Sequence, residues 1–128
     1  MFSHFTLGSN DLEKAWAFYD AVGAPLGLAR LASFPGNAAG YGLKGGRPQL
    51  WVLKPIDKQA ASVGNGITIG LDAPNRAAVD AAYAAAMAKG AKDEGAPGLR
   101  PHYHPNYYGA YVRDLDGHKV CIVCHKKE

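Results

Sequence analysis

Residues 4–23 read HFTLGSNDLEKAWAFYDAVG, and the period of their apolar side chains changes part-way along. Polar and apolar side chains alternate at first, which places His4 and Thr6 on one face of a half-buried strand. Apolar side chains then recur at helical spacing, at Leu12, Ala15, Trp16, Tyr19 and Val22. The stretch therefore predicts a strand followed by a helix over residues 11–22.

The same order of elements returns in the second half of the chain. Residues 66–71 alternate as a strand, with Thr68 in the place that His4 takes in the first half. A second helical stripe follows and predicts core positions at Val79, Ala82, Tyr83, Ala86 and Met87. The chain is therefore an internal repeat, in which two similar halves can enclose a shared cup.

Both predicted helices carry signals for their ends. Asn10 and Glu13 have the spacing of a capping box, and Gly23 is a suitable terminator. Asn75 can cap the second helix, and Gly90 can end it. These signals fix the approximate length of each helix.

Short apolar segments separated by turn residues follow each helix. In the first half they are residues 26–34, 39–43 and 49–53, and in the second half residues 98–102, 108–113 and 119–124. Asp114, Asp116 and Gly117 form a hairpin turn between the last two segments, where Asp is favoured for its own backbone bonding. Each half then reads βαβββ, which predicts an α+β fold with helices outside a curved mixed sheet. The first module covers about residues 1–56, the linker 57–65 and the second module about 66–128.

Composition narrows the classes of function. The 128 residues are 48% apolar and 20% charged, which suits one globular domain. The net charge of +3 is scattered and forms no basic stripe, so nucleic acid is not an expected partner. No stretch approaches the roughly 18 apolar residues of a membrane span, so we expect a cytoplasmic protein with no membrane partner.

The two cysteines lie in a Cys-x-x-Cys-His pattern, Cys121 to His125, which also occurs at sites of haem attachment. The segment is rich in β-branched residues and predicts a strand, on which residues three apart face opposite sides. We therefore interpret Cys121 and Cys124 as reduced thiols on a C-terminal strand.

Several of these motifs resemble those of the glyoxalase, bleomycin-resistance and extradiol-dioxygenase superfamily, whose fold is called the vicinal oxygen chelate (VOC) fold. The resemblance rests on His4-Phe5-Thr6-Leu7, Phe18-Tyr19-Asp20, Gly64-Asn65-Gly66 and the segment from Tyr108 to Lys119. These motifs span almost the whole chain in the expected order. The resemblance implies a homodimer that binds a small molecule in its cup.

The resemblance also implies positions for the ligands of a divalent metal. They fall on His4 in the first strand, Thr68 in the fifth and Cys121 in the eighth, with a fourth near Gln49 or Trp51. Thr hydroxyls and Gln amides are poor metal ligands, so the sequence assigns no cofactor. A divalent metal remains an alternative, with His102 or His104 as a further donor. His4 is the candidate catalytic residue, as a metal ligand or general base.

The most unusual segment runs from Arg100 to Tyr108 and contains three tyrosines and two histidines. Such rings can stack on a ligand while their polar groups orient it, or pack on the domain or on a dimer partner. An anionic substrate would also need a cation such as Arg47, Arg113 or Lys119. The predicted ligand-binding residues are His4, Trp51, Thr68, His102, His104, Tyr107, Tyr108 and Cys121.

The function predicted from these observations is the binding of a small molecule in the central cup, with the usual metal ligands largely replaced. Two alternatives stay open. One is a metal-dependent lyase, isomerase or dioxygenase of the glyoxalase type with a variant metal site. The other is an interaction module in which the cup is vestigial.

Overall fold

The computed structural model describes all of residues 1–128 as two helices, one short 3-10 turn and eight strands. The first module contains β1 (Phe5–Gly8), α1 (Leu12–Gly23), the 3-10 turn (Ala24–Leu26), β2 (Leu28–Phe34), β3 (Ala38–Leu43) and β4 (Leu50–Leu53). The second contains β5 (Thr68–Asp72), α2 (Arg76–Ala88), β6 (Lys92–Leu99), β7 (Tyr108–Arg113) and β8 (Lys119–Cys124). Neither helix has the length and apolar composition of a membrane-spanning segment.

Each module forms its own four-stranded mixed sheet. The strand orders are β1-β4-β3-β2 and β5-β8-β7-β6, and the first strand of each module pairs in parallel with the last. The other neighbours are antiparallel. The predicted α+β fold with a repeated βαβββ order is confirmed.

The position predicted for the sixth strand was wrong. A short strand was expected over residues 98–102, whereas β6 covers Lys92–Leu99. Gly95, Pro97 and Gly98 give this segment the composition of a turn. The strand nevertheless continues through them, because its register against β7 shifts on both sides of Gly95, whose φ is 154°.

The first helix has a different cap from the predicted one. Asp11 is the N-cap, and its carboxylate accepts a hydrogen bond from the backbone N–H of Lys14. Asn10 instead holds the linker, because its side chain both donates to and accepts from the backbone of Ala61. The cap predicted for α2 is confirmed, since the Asn75 side chain accepts from the backbone N–H of Ala78.

One hydrophobic core runs through both modules, and α1 contacts α2 within it. Trp16 and Tyr19 are buried there as predicted. The Trp16 indole donates to the Val52 carbonyl at 3.1 Å, so its one polar atom is satisfied. The set of core positions predicted on α2 was too large, because Tyr83 is only half-buried and Met87 is exposed. The smaller Ala82 and Ala86 form the buried side of this helix.

The hairpin between β7 and β8 joins the two modules. Asp114 takes part in the predicted turn by accepting the backbone N–H groups of Asp116 and His118. Its other oxygen accepts the buried Tyr19 hydroxyl of α1 at 2.6 Å. The His118 ring nitrogen Nε2 donates to the Gly8 carbonyl at 2.7 Å. The turn chemistry read from the sequence therefore also docks one module on the other.

Candidate functional site

The second sheet has one face packed on α2 and one face without a helix. Val120, Ile122 and Cys124 of β8 are almost completely buried on the helix side. Side chains alternate along a strand, so Lys119, Cys121 and Val123 lie on the other side. The two thiols are free and lie on opposite faces, as predicted. We call the side without a helix the open face; it carries Thr68, Gly70, Gly109, Tyr111, Arg113, Lys119, Cys121 and Val123.

Two tyrosines and a cysteine form a hydrogen-bonded cluster on the open face. Cys121 pairs with Gly70 on one side and Tyr111 on the other. The Tyr107 hydroxyl lies 2.7 Å from the Tyr111 hydroxyl and 3.3 Å from the Cys121 sulfur. This cluster covers the thiol, which is why Cys121 is only 4% exposed although it faces away from the core.

A glycine makes room for the ring that covers this cluster. A Cβ atom on Gly109 would lie 2.9 Å from Cε1 of Tyr107, closer than such contacts allow. Tyr107 thus lies across the backbone of β7 and reaches the thiol on β8. The loop before β7 is thereby attached to the open face.

The phenol groups of the cluster stay protonated in the neutral pH range. Burial, followed by the hydrogen bond to Cys121, raises the pKa of Tyr107 above its ordinary value. Burial also raises the pKa of Tyr111, although its bond with Tyr107 acts in the opposite direction. Both hydroxyls therefore act as neutral donors and acceptors and not as phenolate bases.

The loop between β6 and β7 extends this cluster with further rings. Tyr103 packs against His102 and Tyr107, with ring centroids 4.2 Å and 4.9 Å away. His104 and His125 stack 5.1 Å apart, and each lies edge-on to Tyr107. Of the predicted residues, His104 and Cys121 thus contact Tyr107 directly, and His102 is connected to it through Tyr103.

The hydrogen bonds of His104 define its neutral tautomer. The backbone N–H of Asn106 donates to Nδ1 of His104 at 3.1 Å, so the ring proton must sit on Nε2. Nε2 lies 2.8 Å from Nδ1 of His125 and donates to it. The loop is therefore tied to the end of β8 as well as to its open face.

A cavity of about 470 Å³ separates the edge strands β1 and β5. Thr6 and Thr68 line it from the two strands, and Lys119 lines it from β8. The Lys119 ammonium also lies 5.6 Å from the centre of the Tyr111 ring. Lys119 therefore connects this cavity with the open face.

A larger cavity of about 790 Å³ lies between β4 and the linker, lined by residues such as Lys54, Lys58 and Gln59. It contains none of the predicted site residues. No aromatic side chain lines this cavity, and its two lysines form no ion pair. The open face and its adjoining cavity combine donors, rings and half-buried cations, so we take them as the candidate site.

Comparison with known proteins identifies the family. The model of the Glyoxalase/Bleomycin resistance protein/Dioxygenase superfamily matches residues 1–122. The chain belongs to this superfamily. No curated protein matches the chain significantly.

Solved structures of superfamily members align along nearly the whole chain. A glyoxalase/bleomycin resistance protein from Albidiferax ferrireducens T118 is 37% identical, with a TM-score of 0.85 over 98% of this chain and 99% of that one. A lactoylglutathione lyase from Agrobacterium tumefaciens is 25% identical, with a TM-score of 0.64 over 97% and 92%. A glyoxalase-related enzyme from Fulvimarina pelagi, 21% identical with a TM-score of 0.72 over 97% and 87%, shares the fold.

Superfamily members often use divalent metals, so the donor set of this chain needs a direct test. His4 lies before β1, is exposed, and has its Nδ1 atom 2.9 Å from the Ser3 hydroxyl. Thr68 lines the cavity at β5, while the Cys121 thiol lies under Tyr107. No three His, Cys, Asp or Glu side chains are placed to hold a metal ion. Such a site needs about three protein donors, so the residues at these positions do not fit one.

Two predicted ligand-binding residues lie apart from the open face. Trp51 is in the first sheet, where its ring stacks on Phe34 with centroids 6.2 Å apart. Tyr108 is on the helix side of β7, and its hydroxyl donates to Asp80 of α2 at 2.7 Å. Burial and this bond raise the pKa of Tyr108, the bond having the larger effect. We therefore leave both residues out of the candidate site.

Tyr111 and His125 contact Tyr107 but were not predicted as ligand-binding residues. Tyr111 alternates with Tyr108 along the same strand, and the odd spacing puts the two rings on opposite faces. The odd spacing in the sequence could therefore have shown that Tyr111 and Tyr108 face opposite sides of the sheet. His125 follows the last strand, and the sequence contains no signal that pairs it with His104.

Proposed function

We propose that this superfamily member binds a small molecule on the open face, using its own side chains and no divalent metal. One observation carries the proposal. Cys121 occupies the position that the resemblance implies for the metal ligand of the eighth strand. Its thiol forms a hydrogen bond with the Tyr107 hydroxyl. The thiol is therefore part of the hydrogen-bonded surface that Tyr107 and Tyr111 present on the open face, which supports binding through side chains.

The shape and chemistry of the open face support ligand binding. Tyr107 and Tyr111 are half-buried and present ring surface together with neutral hydroxyl groups. Rings of this kind supply contact area, and their polar tips fix the orientation of a ligand. The cavity beside Thr68 offers space for the part of the ligand that extends beyond the rings.

The proposal can be tested with mixtures of small aromatic compounds added to isotope-labelled protein. We expect NMR shift changes concentrated at Tyr107, Tyr111 and Cys121. Tyr111→Leu removes the phenol but keeps an apolar side chain, and should weaken binding about tenfold through the lost hydrogen bond and ring contact. Phe34→Leu, in the other sheet, is the matched control. Shift changes confined to the cavity lined by Lys54 and Lys58 would refute the proposed site.

An enzymatic function is the second candidate, favoured by the similarity to a lactoylglutathione lyase. In that case His4 would act as metal ligand or base. Turnover of an oxygenated electrophile that stops with a chelator or with His4→Gln would support it. Turnover that is indifferent to both changes would contradict a metal-dependent mechanism.

A further inference from the structure

The guanidinium of Arg100 is seated on the open face by two glycines. A Cβ atom on Gly98 would lie 3.0 Å from Nη1 of Arg100, and one on Gly95 would lie 3.2 Å from Nη2. The side chain thus lies flat over β6, with its Cζ atom 5.9 Å from the centre of the Tyr111 ring. The glycines that make β6 resemble a turn in sequence therefore make room for this cation.

Most of the hydrogen-bonding capacity of Arg100 is unused. A guanidinium has five N–H donors. One bond is formed, from Nη2 to the Ala96 carbonyl at 2.8 Å. No carboxylate lies within ion-pair distance of Arg100. The remaining donors are free for a ligand.

Lys119 approaches the same ring, with its ammonium 5.6 Å from the centre. Lys119 also forms no ion pair. Arg100 and Lys119 thus flank one phenol ring, and both are half-buried. A half-buried cation has lost part of its hydration, which strengthens its attraction for an anion.

Glu94, an acidic side chain close enough to Lys119 to be influenced by its charge, is paired with a third cation. Glu94 of β6 accepts a hydrogen bond from Nε of Arg113 at 2.8 Å. The bond with Arg113, and secondarily the charge of Lys119, hold the pKa of Glu94 below its usual value. Once this pair has formed, the region around Tyr111 keeps a net positive charge from Arg100 and Lys119.

We infer that the ligand of the open face is an aromatic anion, whose ring lies against the tyrosines while a carboxylate or similar oxyanion binds Arg100 and Lys119. The inference rests on the proposed function and adds the charge of the ligand. Arg is well suited to the oxyanion because its planar fork bonds both oxygens at once.

The test compares binding of three probe sets built on the same aromatic scaffolds: carboxylates, neutral amides and ammonium compounds. Dissociation constants are measured by NMR titration of the full chain. We expect carboxylates to bind about tenfold more tightly than the matching amides, and ammonium compounds more weakly than either. Arg100→Gln and Lys119→Gln should each lower the affinity for carboxylates far more than the affinity for amides, and so remove most of the preference for carboxylate.

A second variant tests position without removing charge. Gly98→Ala introduces a Cβ whose only close neighbour is the tip of Arg100, so the chain should fold normally while the guanidinium is displaced. It should lower carboxylate affinity several-fold and amide affinity much less. Lys89→Gln, at the end of α2, removes one cation from the helix side and controls for net charge.

The outcomes separate the two proposals. If amides and carboxylates bind the open face equally, or if Arg100→Gln weakens both equally, the anion inference is wrong and the proposed function stands. If no probe of any charge perturbs Tyr107, Tyr111 or Cys121, both fail. A titration with inorganic phosphate, which has no ring, tests whether the aromatic part of the ligand is recognised. If phosphate binds as tightly as the aromatic carboxylates, the ring is not recognised, and the inference that the ligand is aromatic is wrong.

Discussion

At the residue scale, close approaches over glycine decide what the open face presents. Gly109 admits the ring of Tyr107, and Gly98 admits the guanidinium of Arg100. Neither glycine has a positive φ, so both matter for the space they leave and not for their backbone freedom. The loop and the sheet therefore form one surface, with the Cys121 thiol enclosed between them.

Gly109→Ala should destabilise the protein by about 1–3 kcal/mol, because the new Cβ overlaps the Tyr107 ring. Urea unfolding of the wild type and the variant measures the change. In Tyr107→Ala the ring is absent, so adding Gly109→Ala to it should cost much less. Equal costs in both backgrounds would show that the ring does not occupy this place.

Tyr19 links stability to alkaline pH. Burial, with a smaller contribution from Asp114, holds its pKa in the folded protein well above the unfolded value of about 10. The stabilisation is complete below that value and is lost as pH rises toward the folded pKa. Above pH about 10 each such tyrosine lowers the free energy of unfolding by about 1.4 kcal/mol per pH unit.

Tyr19→Phe should reduce this slope by about 1.4 kcal/mol per pH unit. Urea unfolding of the wild type and the variant, measured from about pH 9 upward in steps of about half a pH unit, gives this slope. Tyr103→Phe, at an exposed tyrosine, is the control. An unchanged slope in Tyr19→Phe would mean that its hydroxyl ionises equally in both states.

The sequence identified Tyr107 and Cys121 as site residues without indicating that they touch. Their contact depends on a loop folding back over Gly109, which no periodicity encodes. Tyr108 was grouped with the ligand-binding residues because it lies in the same aromatic run, although strand parity places it on the helix side. Residue type was therefore more predictable than residue partnership.

At the element scale, the β7–β8 hairpin adds polar links between the two modules, which also share one hydrophobic core. The Asp114 carboxylate accepts three hydrogen bonds, two within the turn and one from Tyr19 of α1. Asn10 adds a third link between the modules, besides the Tyr19–Asp114 and His118–Gly8 bonds, because its backbone N–H donates to Asp116 at 2.8 Å. A turn that would otherwise be exposed is thereby built into the core.

Asp114→Ala should lower the free energy of unfolding by about 2–4 kcal/mol, because it leaves buried donors without partners. Asp57→Ala in the exposed linker removes only a bond to the Gln59 backbone and should cost less than about 0.5 kcal/mol. Chemical denaturation of both variants gives the comparison. Similar losses in the two would contradict the docking role of the hairpin.

The elements with clear periodicity were predictable from the sequence, and the irregular ones were not. Both helices and the strands β7 and β8 lie within a residue or two of their expected positions. β6 was misplaced because its glycines indicate a turn, whereas they permit two register shifts inside a strand. The cap of α1 shifted from Asn10 to Asp11, since Asn10 is used by the linker.

At the scale of the whole molecule, several large apolar side chains remain exposed on a single copy. Phe2, Phe34 and Ile67 are each more than half exposed. Superfamily members are often dimers, and we predict that this chain is a homodimer in solution. Light scattering coupled to size exclusion should give twice the 13.5 kDa chain mass. A mass equal to one chain at micromolar concentration would contradict the prediction.

Ligand binding on the open face without a metal is the central claim about this protein. The decisive measurement is the affinity of aromatic carboxylates for the open face before and after exhaustive dialysis against a chelator, with metal content determined on the same samples. We predict unchanged affinity, no stoichiometric divalent metal, and the same shifts at Tyr111 in His4→Ala. Affinity that disappears with the chelator, returns with a divalent ion and is lost in His4→Ala would contradict the proposal.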